Sequence, residues 1–269
     1  MTGNIDEFPS WQRRTAMLIG SGGLDRLKKS HVLVVGLGGV GAYAAELICR
    51  AGAGRMTIVD GDVVEASNRN RQLPATVNTE GRSKAEIMAA RLAAINPEAE
   101  IISLYKFIHD DETDELLKPQ YDYVVDAIDS LSPKTFLIMK TLERGFPLVS
   151  SMGAGGKCDP SMVKVADISK TFNCRLAKAV RKRLNRFGVK SGFKAVFSPE
   201  DVDDEAIMPS GNMEDGNFRS TVGTISYMPA IFGCFCASVV IRGLTGLTPY
   251  NPCERMTSVC LQAGEQIQE

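Results

Sequence analysis

Short apolar runs alternate with amphipathic segments over the first 150 residues. HVLVV (31–35) and YDYVVDAID (121–129) are typical of buried strands, whereas VGAYAAELICRAGA (40–53) has its apolar positions at helical spacing. This alternation predicts an α/β fold with a doubly wound, mostly parallel Rossmann-like sheet and right-handed crossovers. Ligands of such sheets bind at the carboxyl ends of the strands.

The pattern is less regular in the second part of the chain. We expect a nucleotide-binding core with an N-terminal helical arm over residues 1–155 and a C-terminal extension over 156–269. Within the extension, 175–194 carries eight Lys or Arg and no acid, and 198–218 carries seven acids and no base. The basic segment predicts a helix, and the acidic one, with scattered Gly and Pro, predicts a mobile loop.

Residues 222–241 are uncharged and long enough to span a bilayer. Pro229 and the small polar residues of this segment favour a buried core helix instead, with Ser226 as its cap. We therefore expect no membrane partner. The N-terminus has no apolar signal-peptide core, which indicates a cytoplasmic protein.

A glycine-rich turn follows the first strand and opens a helix, the arrangement in which backbone N–H groups approach a phosphate. Its glycines are Gly36, Gly38, Gly39 and Gly41. Asp60 lies 24 residues past Gly36, which suits an acid that accepts hydrogen bonds from ribose hydroxyls. These features predict a nucleotide site, and a purely structural glycine turn is the alternative.

The segment DGDVVEASNRNRQ (60–72) indicates which nucleotide binds. A triphosphate carries more negative charge than the pyrophosphate of NAD, and reaction at its α-phosphate requires cations. Arg71, after the second strand, and Lys84, in the first turn of the next helix, are the candidates. The alternative is that both are solvated surface cations.

Two acids frame the end of the strand that precedes residue 130. A carboxylate there is well placed to hold Mg²⁺, which binds few protein oxygens beside phosphates and water. We expect Asp129 to bind the metal and Asp126 to be structural, and the alternative is that one of the two acids merely caps the helix that follows.

In order, GLGGVG, DGD, SNRNRQ, GRSKAE and DAIDS resemble the adenylating core of ubiquitin-activating enzymes and of bacterial adenylyltransferases in molybdopterin and thiamine synthesis, over about residues 10–155. The resemblance implies that a carboxylate attacks the α-phosphate of Mg-ATP, which gives an acyl-adenylate and pyrophosphate. It implies Asp60 at the ribose and Asp129 on Mg²⁺. It implies phosphate contacts and catalytic roles for Asn68, Arg71 and Lys84, with Asp62, Gln72, Ala127 and Ile128 lining the nucleotide.

That family is dimeric, so the resemblance also implies a homodimer in which an arginine near the N-terminus reaches the partner's ATP. In WQRRTAMLIG this is Arg14, with Arg13 as the alternative register.

Cysteine placement separates the relatives. The chain has seven cysteines and no CxxC pair, and 175–233 contains none, so neither the zinc site of sulfur-carrier activators nor a thioester cysteine in the crossing loop is present in the sequence. For Cys174, Cys234 and Cys236 we expect buried or incidental thiols.

RRTAMLIG, PLVSSMGAGGKCDP and the basic segment together resemble the tRNA threonylcarbamoyladenosine dehydratases, over about residues 10–243. The resemblance implies ATP-dependent cyclisation of that nucleoside in tRNA, with a cysteine desulfurase or sulfur-acceptor protein as a further partner. The basic helix is then the candidate RNA contact. Its residues are Arg175, Lys178, Arg181, Lys182, Arg183 and Arg186.

A solvated amphipathic helix is the alternative for that segment, since we expect no aromatic stacking platform among its cations. Two other functions stay open. One is adenylation of the Gly-Gly terminus of a ubiquitin-like sulfur carrier, and the other is a non-catalytic nucleotide-binding subunit. The presence of Arg71, Lys84 and Asp129 disfavours the second.

Overall fold

A seven-stranded sheet organises the chain. The computed structural model describes residues 8–108, 110–210 and 219–247. In chain order its strands are β1 His31–Val35, β2 Arg55–Val59, β3 Glu100–Leu104, β4 Tyr123–Asp126, β5 Leu148–Ser151, β6 Lys164–Asp167, β7 Lys194–Phe197, β8 Ile207–Ser210 and β9 Arg219–Val222. The sheet has the order β3-β2-β1-β4-β5-β7-β6, and β8 and β9 form a separate two-stranded sheet. Only the β6–β7 pair of the seven-stranded sheet is antiparallel, so the predicted mostly parallel fold is confirmed.

Helices cover both faces of this sheet. They are α1 Arg13–Lys29, α2 Gly41–Ala51, α3 Lys84–Ile95, α4 Asp110–Leu116, α5 Leu131–Glu143, α6 Arg175–Asn185 and α7 Tyr227–Thr245. Alternate residues of β1 enter two different cores, because successive strand side chains point to opposite faces. Val32 and Val34 pack with α2, α3 and α7, whereas Leu33 and Val35 pack with α4, α5 and α6.

Helix α3 begins directly after the loop that follows β2. The Ser83 hydroxyl accepts a hydrogen bond from the Glu86 N–H (3.3 Å), so Ser83 is the cap and Lys84 is the first helical residue. Lys84 therefore lies in the first turn, as predicted.

Helix α7 is the apolar segment of the extension. By length and composition it could cross a membrane. However, Met228, Phe232, Cys236 and Val240 are fully buried in the core that also contains Val32 and Val34, and the helix packs on α1, α2 and the sheet. The prediction of a buried core helix is confirmed.

The extension continues the sheet of the core, since β7 pairs with β5 and β6 pairs with β7. The prediction of a loop over 198–218 is wrong for 207–210, which is a strand because its backbone pairs with 219–222. Residues 211–218, and the C-terminal 248–269, lie outside the described residues.

Candidate functional site

The glycine turn between β1 and α2 is tightly closed. Gly36 has φ = 89°, and a β-carbon added there would lie 2.7 Å from the Ala127 carbonyl oxygen. A β-carbon on Gly41 would overlap the Gly36 carbonyl oxygen, and one on Gly39 would lie 2.8 Å from Cβ of Pro229 in α7. Only glycine fits these positions without moving the turn. The turn therefore lies between the end of β4 and the start of α7.

Asp60, at the end of β2, ties this turn to the following segment. Its Oδ2 accepts the Leu37 N–H (2.6 Å) and its Oδ1 accepts the Asp62 N–H (2.8 Å). Burial raises the pKa of Asp60, against the lowering effect of these two hydrogen bonds. Each carboxylate oxygen retains a further lone pair, so Asp60 can still accept hydrogen bonds from a ligand hydroxyl.

Lys84 is buried, so the interpretation of it as a solvated surface cation is wrong. Its side chain is 6% exposed, and its Nζ lies 2.9 Å from Oδ2 of Asp62, which is 54% exposed. The Lys84 N–H also donates to the Asp62 carbonyl oxygen (3.1 Å). These contacts place the ammonium group beside Asp60, because Asp60 and Asp62 are themselves hydrogen-bonded.

The 3-10 turn Ala66–Asn68 and the turn that follows it hold Asn68, Arg71 and Gln72 together. The side-chain oxygen of Asn68 accepts the Glu65 N–H (3.2 Å), and its carbonyl accepts the N–H groups of Arg71 (3.1 Å) and Gln72 (2.9 Å). The half-buried Arg71 donates from Nη1 to the Ser67 carbonyl (3.0 Å). The turn thus fixes the position of the arginine relative to the glycine turn.

The Gln72 side chain joins this turn to the glycine turn. Its Nε2 lies 3.7 Å from the position that a Gly38 β-carbon would occupy. Its Oε1 is one of the few buried side-chain oxygens of the described residues without a hydrogen-bond partner. An unsatisfied buried acceptor between these two turns suits a ligand that donates a hydrogen bond.

The loop after β4 runs beside the glycine turn through Ala127. Asp126 is fully buried: Oδ2 accepts from the Ser150 hydroxyl (2.6 Å) and pairs with Nζ of Lys134 (2.8 Å). Asp129 is exposed. The structure therefore supports a structural role for Asp126 and leaves Asp129 as the carboxylate that faces solvent.

Sequence reasoning missed Lys134. Its side chain is 0% exposed, and besides pairing with Asp126 it donates from Nζ to the Ile128 carbonyl (2.7 Å). A signal existed, since Lys134 occupies the same helical stripe as the buried Leu137 and Ile138 of α5. A lysine on a buried stripe requires a buried partner, and here that partner shapes the loop between Asp126 and Asp129.

Sequence reasoning also missed the segment between β9 and α7. The Asn70 side-chain amide donates to the Thr224 carbonyl (3.0 Å), and the Gly156 N–H donates to the Gly223 carbonyl (2.7 Å). The Tyr227 hydroxyl donates to the Cys158 carbonyl (2.8 Å). This segment therefore connects the arginine-bearing turn to the glycine-rich loop after β5.

The predicted basic helix is α6, whose apolar side faces the core. Ala177, Val180 and Leu184 are buried. Three cations, Lys178, Lys182 and Arg186, are exposed on the opposite side, and two others, the exposed Arg175 and the half-buried Arg183, have identified partners. Arg175 pairs with Asp204 (2.7 Å), and Arg183 donates to the Ser132 hydroxyl (2.9 Å).

Two expectations about α6 need correction. Arg181 does not belong to the outer face, because it lies on another side of the helix and donates to the Thr171 hydroxyl. An aromatic ring does accompany the cations, because Phe187 follows Arg186 directly and is 59% exposed. The sequence alone does not distinguish this exposed phenylalanine from a core residue.

The thiols match the expectation in all three cases. Cys174 and Cys236 are buried, and burial raises the pKa of Cys236 to about 12. Cys234 is exposed on α7 and is thus an incidental surface thiol. Within the described residues, none of the three thiols has an identified hydrogen bond to the glycine turn.

Arg13 and Arg14 lie in the first turn of α1 and are both exposed. Met17 and Leu18 of the same helix are 70% and 72% exposed. Arg14, Met17 and Leu18 share one helix face, since residues three and four apart are neighbours on a helix.

The model of the ThiF family matches residues 12–265. The tRNA threonylcarbamoyladenosine dehydratase of Bacillus subtilis (strain 168) is 45% identical over 187 residues, which cover 70% of this chain and 74% of that protein. The protein of the same name from Escherichia coli (strain K12) is 41% identical over 201 residues, 71% of this chain and 75% of that protein.

The fold agrees with these matches. The crystal structure of the E. coli tRNA N6-threonylcarbamoyladenosine dehydratase in complex with ATP superposes with a TM-score of 0.79 at 35% identity, covering 90% of this chain and 96% of that one.

Proposed function

Because the chain belongs to the ThiF family and, within it, to the tRNA threonylcarbamoyladenosine dehydratases, we propose that it cyclises N6-threonylcarbamoyladenosine in tRNA with consumption of ATP. One observation carries the proposal: a glycine turn, an acid and two cations meet at the carboxyl ends of β1, β2 and β4. The sheet order reverses between β1 and β4, which is where open α/β sheets bind nucleotides.

The reaction has two steps. A carboxylate oxygen of the threonyl group attacks the α-phosphorus of ATP, and the bond to the β-phosphate breaks to release pyrophosphate. The carbamoyl group of the same substituent then attacks the activated carbonyl carbon, and AMP leaves as the ring closes. Since the nucleophile is intramolecular, proximity supplies much of the rate and no enzymic thiol is required.

Arg71, Lys84 and Asn68 bind the phosphates in this proposal. Arg71 and Lys84 offset the charge that develops at the α-phosphate, where fixed cations are most effective. Lys84 suits this role because Asp62 holds its ammonium group in place before a ligand arrives. Asn68 positions Arg71 through its own carbonyl oxygen.

Asp60 holds the ribose, and Gln72 lines the nucleotide together with the N–H groups of the glycine turn and the start of α2. Two observations favour this fit: the turn admits only glycine at Gly36 and Gly41, and Oε1 of Gln72 has no partner among the described residues.

Asp129 is the residue that would hold Mg²⁺, with Ala127 and Ile128 beside the phosphates. Mg²⁺ supplies charge neutralisation between phosphate oxygens when bound. The exposed carboxylate of Asp129 suits a cation that keeps most of its ligands from phosphate and water.

The tRNA contacts the outer face of α6. Lys178, Lys182 and Arg186 are exposed and supply a row of cations for the phosphate backbone. Arg175 and Arg183 flank this row.

The active form is a homodimer in the cytoplasm, where its tRNA substrate is found. Exposed Met17 and Leu18 beside Arg14 favour the dimer, because a second subunit on this face of α1 buries two large apolar side chains and brings Arg14 towards the partner's ATP. Association with a cysteine desulfurase or sulfur-acceptor protein stays a prediction.

The test is mass spectrometry of nucleosides from tRNA that carries threonylcarbamoyladenosine, after incubation with the protein and Mg-ATP. We expect the nucleoside to lose one water, and we expect Arg71→Ala to lower the rate at least about 100-fold, as removal of a transition-state donor does. Arg69→Ala is the matched control, because Arg69 is an exposed neighbour in the same segment. No mass change with the wild-type protein would refute the proposed function.

A further inference from the structure

Helix α6 ends in a motif that holds Phe187 in place. The Gly188 N–H donates to the Asn185 carbonyl (3.2 Å) and the Val189 N–H donates to the Leu184 carbonyl (3.1 Å). Gly188 has φ = 80°, so this is a Schellman ending that requires glycine. Phe187, the residue before Gly188, is therefore fixed at the end of the helix with its ring 59% exposed.

The ring forms one wall of a groove between the start of α5 and the end of α6. The groove has a volume of about 470 Å³ and is open to solvent. Its lining residues are Leu131, Ala179, Lys182, Arg183, Arg186 and Phe187. Its walls are thus apolar in part and otherwise cationic.

The groove adjoins the loop that we propose for ATP. Leu131 is two residues after Asp129, so their Cα atoms are at most about 7 Å apart. The hydrogen bond from Arg183 to the Ser132 hydroxyl (2.9 Å) joins the two helices at this end. A ligand in the groove therefore lies next to the place where a carboxylate meets the α-phosphate.

We propose that this groove binds an unstacked nucleobase of the tRNA loop that carries the modified adenosine. The base stacks on Phe187, and Lys182 and Arg186 bind the adjoining phosphates. The segment 175–194 contains eight cations and no acid, which favours an anionic partner. The exposed Phe187 ring among these cations favours RNA, because a nucleobase stacks on an aromatic ring while its phosphates meet the cations. Proteins recognise single-stranded RNA loops by such a combination of aromatic stacking and backbone cations.

This inference rests on the proposed function, and one titration separates the two. Labelled tRNA with the threonylcarbamoyl group is titrated with the wild-type protein and with variants at two salt concentrations. We expect Phe187→Ala to weaken binding about 10-fold, equivalent to about 1.4 kcal/mol. Phe187→Trp should stay within about 2-fold of wild type, because it keeps a stacking surface.

Phe172→Ala is the matched control, since Phe172 is 52% exposed and lies outside the groove. This variant should bind tRNA with the same affinity as the wild-type protein. Lys182→Gln and Arg186→Gln should each reduce the slope of log Kd against the logarithm of the salt concentration by about one. ATP affinity should be the same in all variants.

Two results would contradict these proposals in different ways. If the wild-type protein cyclises the nucleoside and Phe187→Ala binds tRNA as tightly as wild type, the stacking site is wrong and the proposed function stands. In that case a protein partner becomes the occupant to test. If the wild-type protein neither binds nor cyclises this tRNA, both proposals fail.

Discussion

The buried pair between Lys134 and Asp126 gives the sharpest stability prediction. Replacing Lys134 with Met keeps the volume and the apolar stem but removes the ammonium group. The fully buried Asp126 carboxyl group then lacks its cation, and the Ile128 carbonyl loses its donor. The perturbation is therefore almost purely electrostatic.

The magnitude follows from burial. Both side chains are 0% exposed, and breaking a buried ion pair by removing one partner costs about 3–5 kcal/mol. The lost charged hydrogen bond to Ile128 adds about 1–2 kcal/mol. A loss of about 4–7 kcal/mol lowers the melting temperature of a chain of this size by roughly 8–28 °C.

Urea denaturation of Lys134→Met measures this loss directly. Lys140→Met is the matched control, because Lys140 belongs to the same helix but is 25% exposed, and among the described residues it forms ion pairs only with the more exposed Asp114 and Glu143. Its cost should stay below about 1 kcal/mol. The double variant Lys134→Met with Asp126→Asn should recover part of the loss. A cost below about 1 kcal/mol for Lys134→Met itself would refute the electrostatic reasoning.

Three further predictions concern the site and its surroundings. Gly41→Ala should lower the melting temperature and weaken ATP binding at least 10-fold, since the added β-carbon overlaps the turn. Gly38→Ala should leave the melting temperature nearly unchanged, because the atom nearest to its added β-carbon is 3.7 Å away. Equal melting temperatures for the two variants would contradict this reasoning. Lys84→Met should abolish ATP–pyrophosphate exchange but lower the free energy of unfolding by only about 1 kcal/mol, because Asp62, the ion-pair partner of Lys84, is half exposed and stays hydrated. A loss as large as that of a fully buried pair would be inconsistent with this geometry. Burial lowers the pKa of His31 below its ordinary value of 6.5. The unfolded chain therefore takes up the proton first, and the stability of the fold decreases as the pH drops below about 6.5. Melting scans between pH 7.5 and 5.5 should show a smaller decline in melting temperature for His31→Gln than for wild type, and an equal decline would exclude His31 as the cause.

Local sequence features predicted much of the core of the fold. Apolar runs and glycine placement identify β1, the turn and α2, and the helical pattern places Lys84 in the first turn of α3. These features depend on residues close together in the chain, which is why the pattern reveals them.

Long-range contacts could not be predicted in the same way. The antiparallel β6–β7 pair, the strand over 207–210 and the hydrogen bond from Asn70 to Thr224 join segments that are distant in sequence. The apolar stripe of α5 shows that Lys134 is buried, but only the packed sheet shows that Asp126 is its partner. The exposure of Phe187 likewise depends on how α6 lies against α5.

The central claim is that the substrate carboxylate attacks the α-phosphate of ATP at the β1–β4 switch point. The most direct test uses tRNA in which the threonyl carboxylate of the modified nucleoside carries ¹⁸O, incubated with the protein and Mg-ATP in unlabelled water. The account predicts that one labelled oxygen leaves the carboxylate and appears in AMP, with unlabelled pyrophosphate. Label in inorganic phosphate together with ADP would show attack at the γ-phosphate and contradict it.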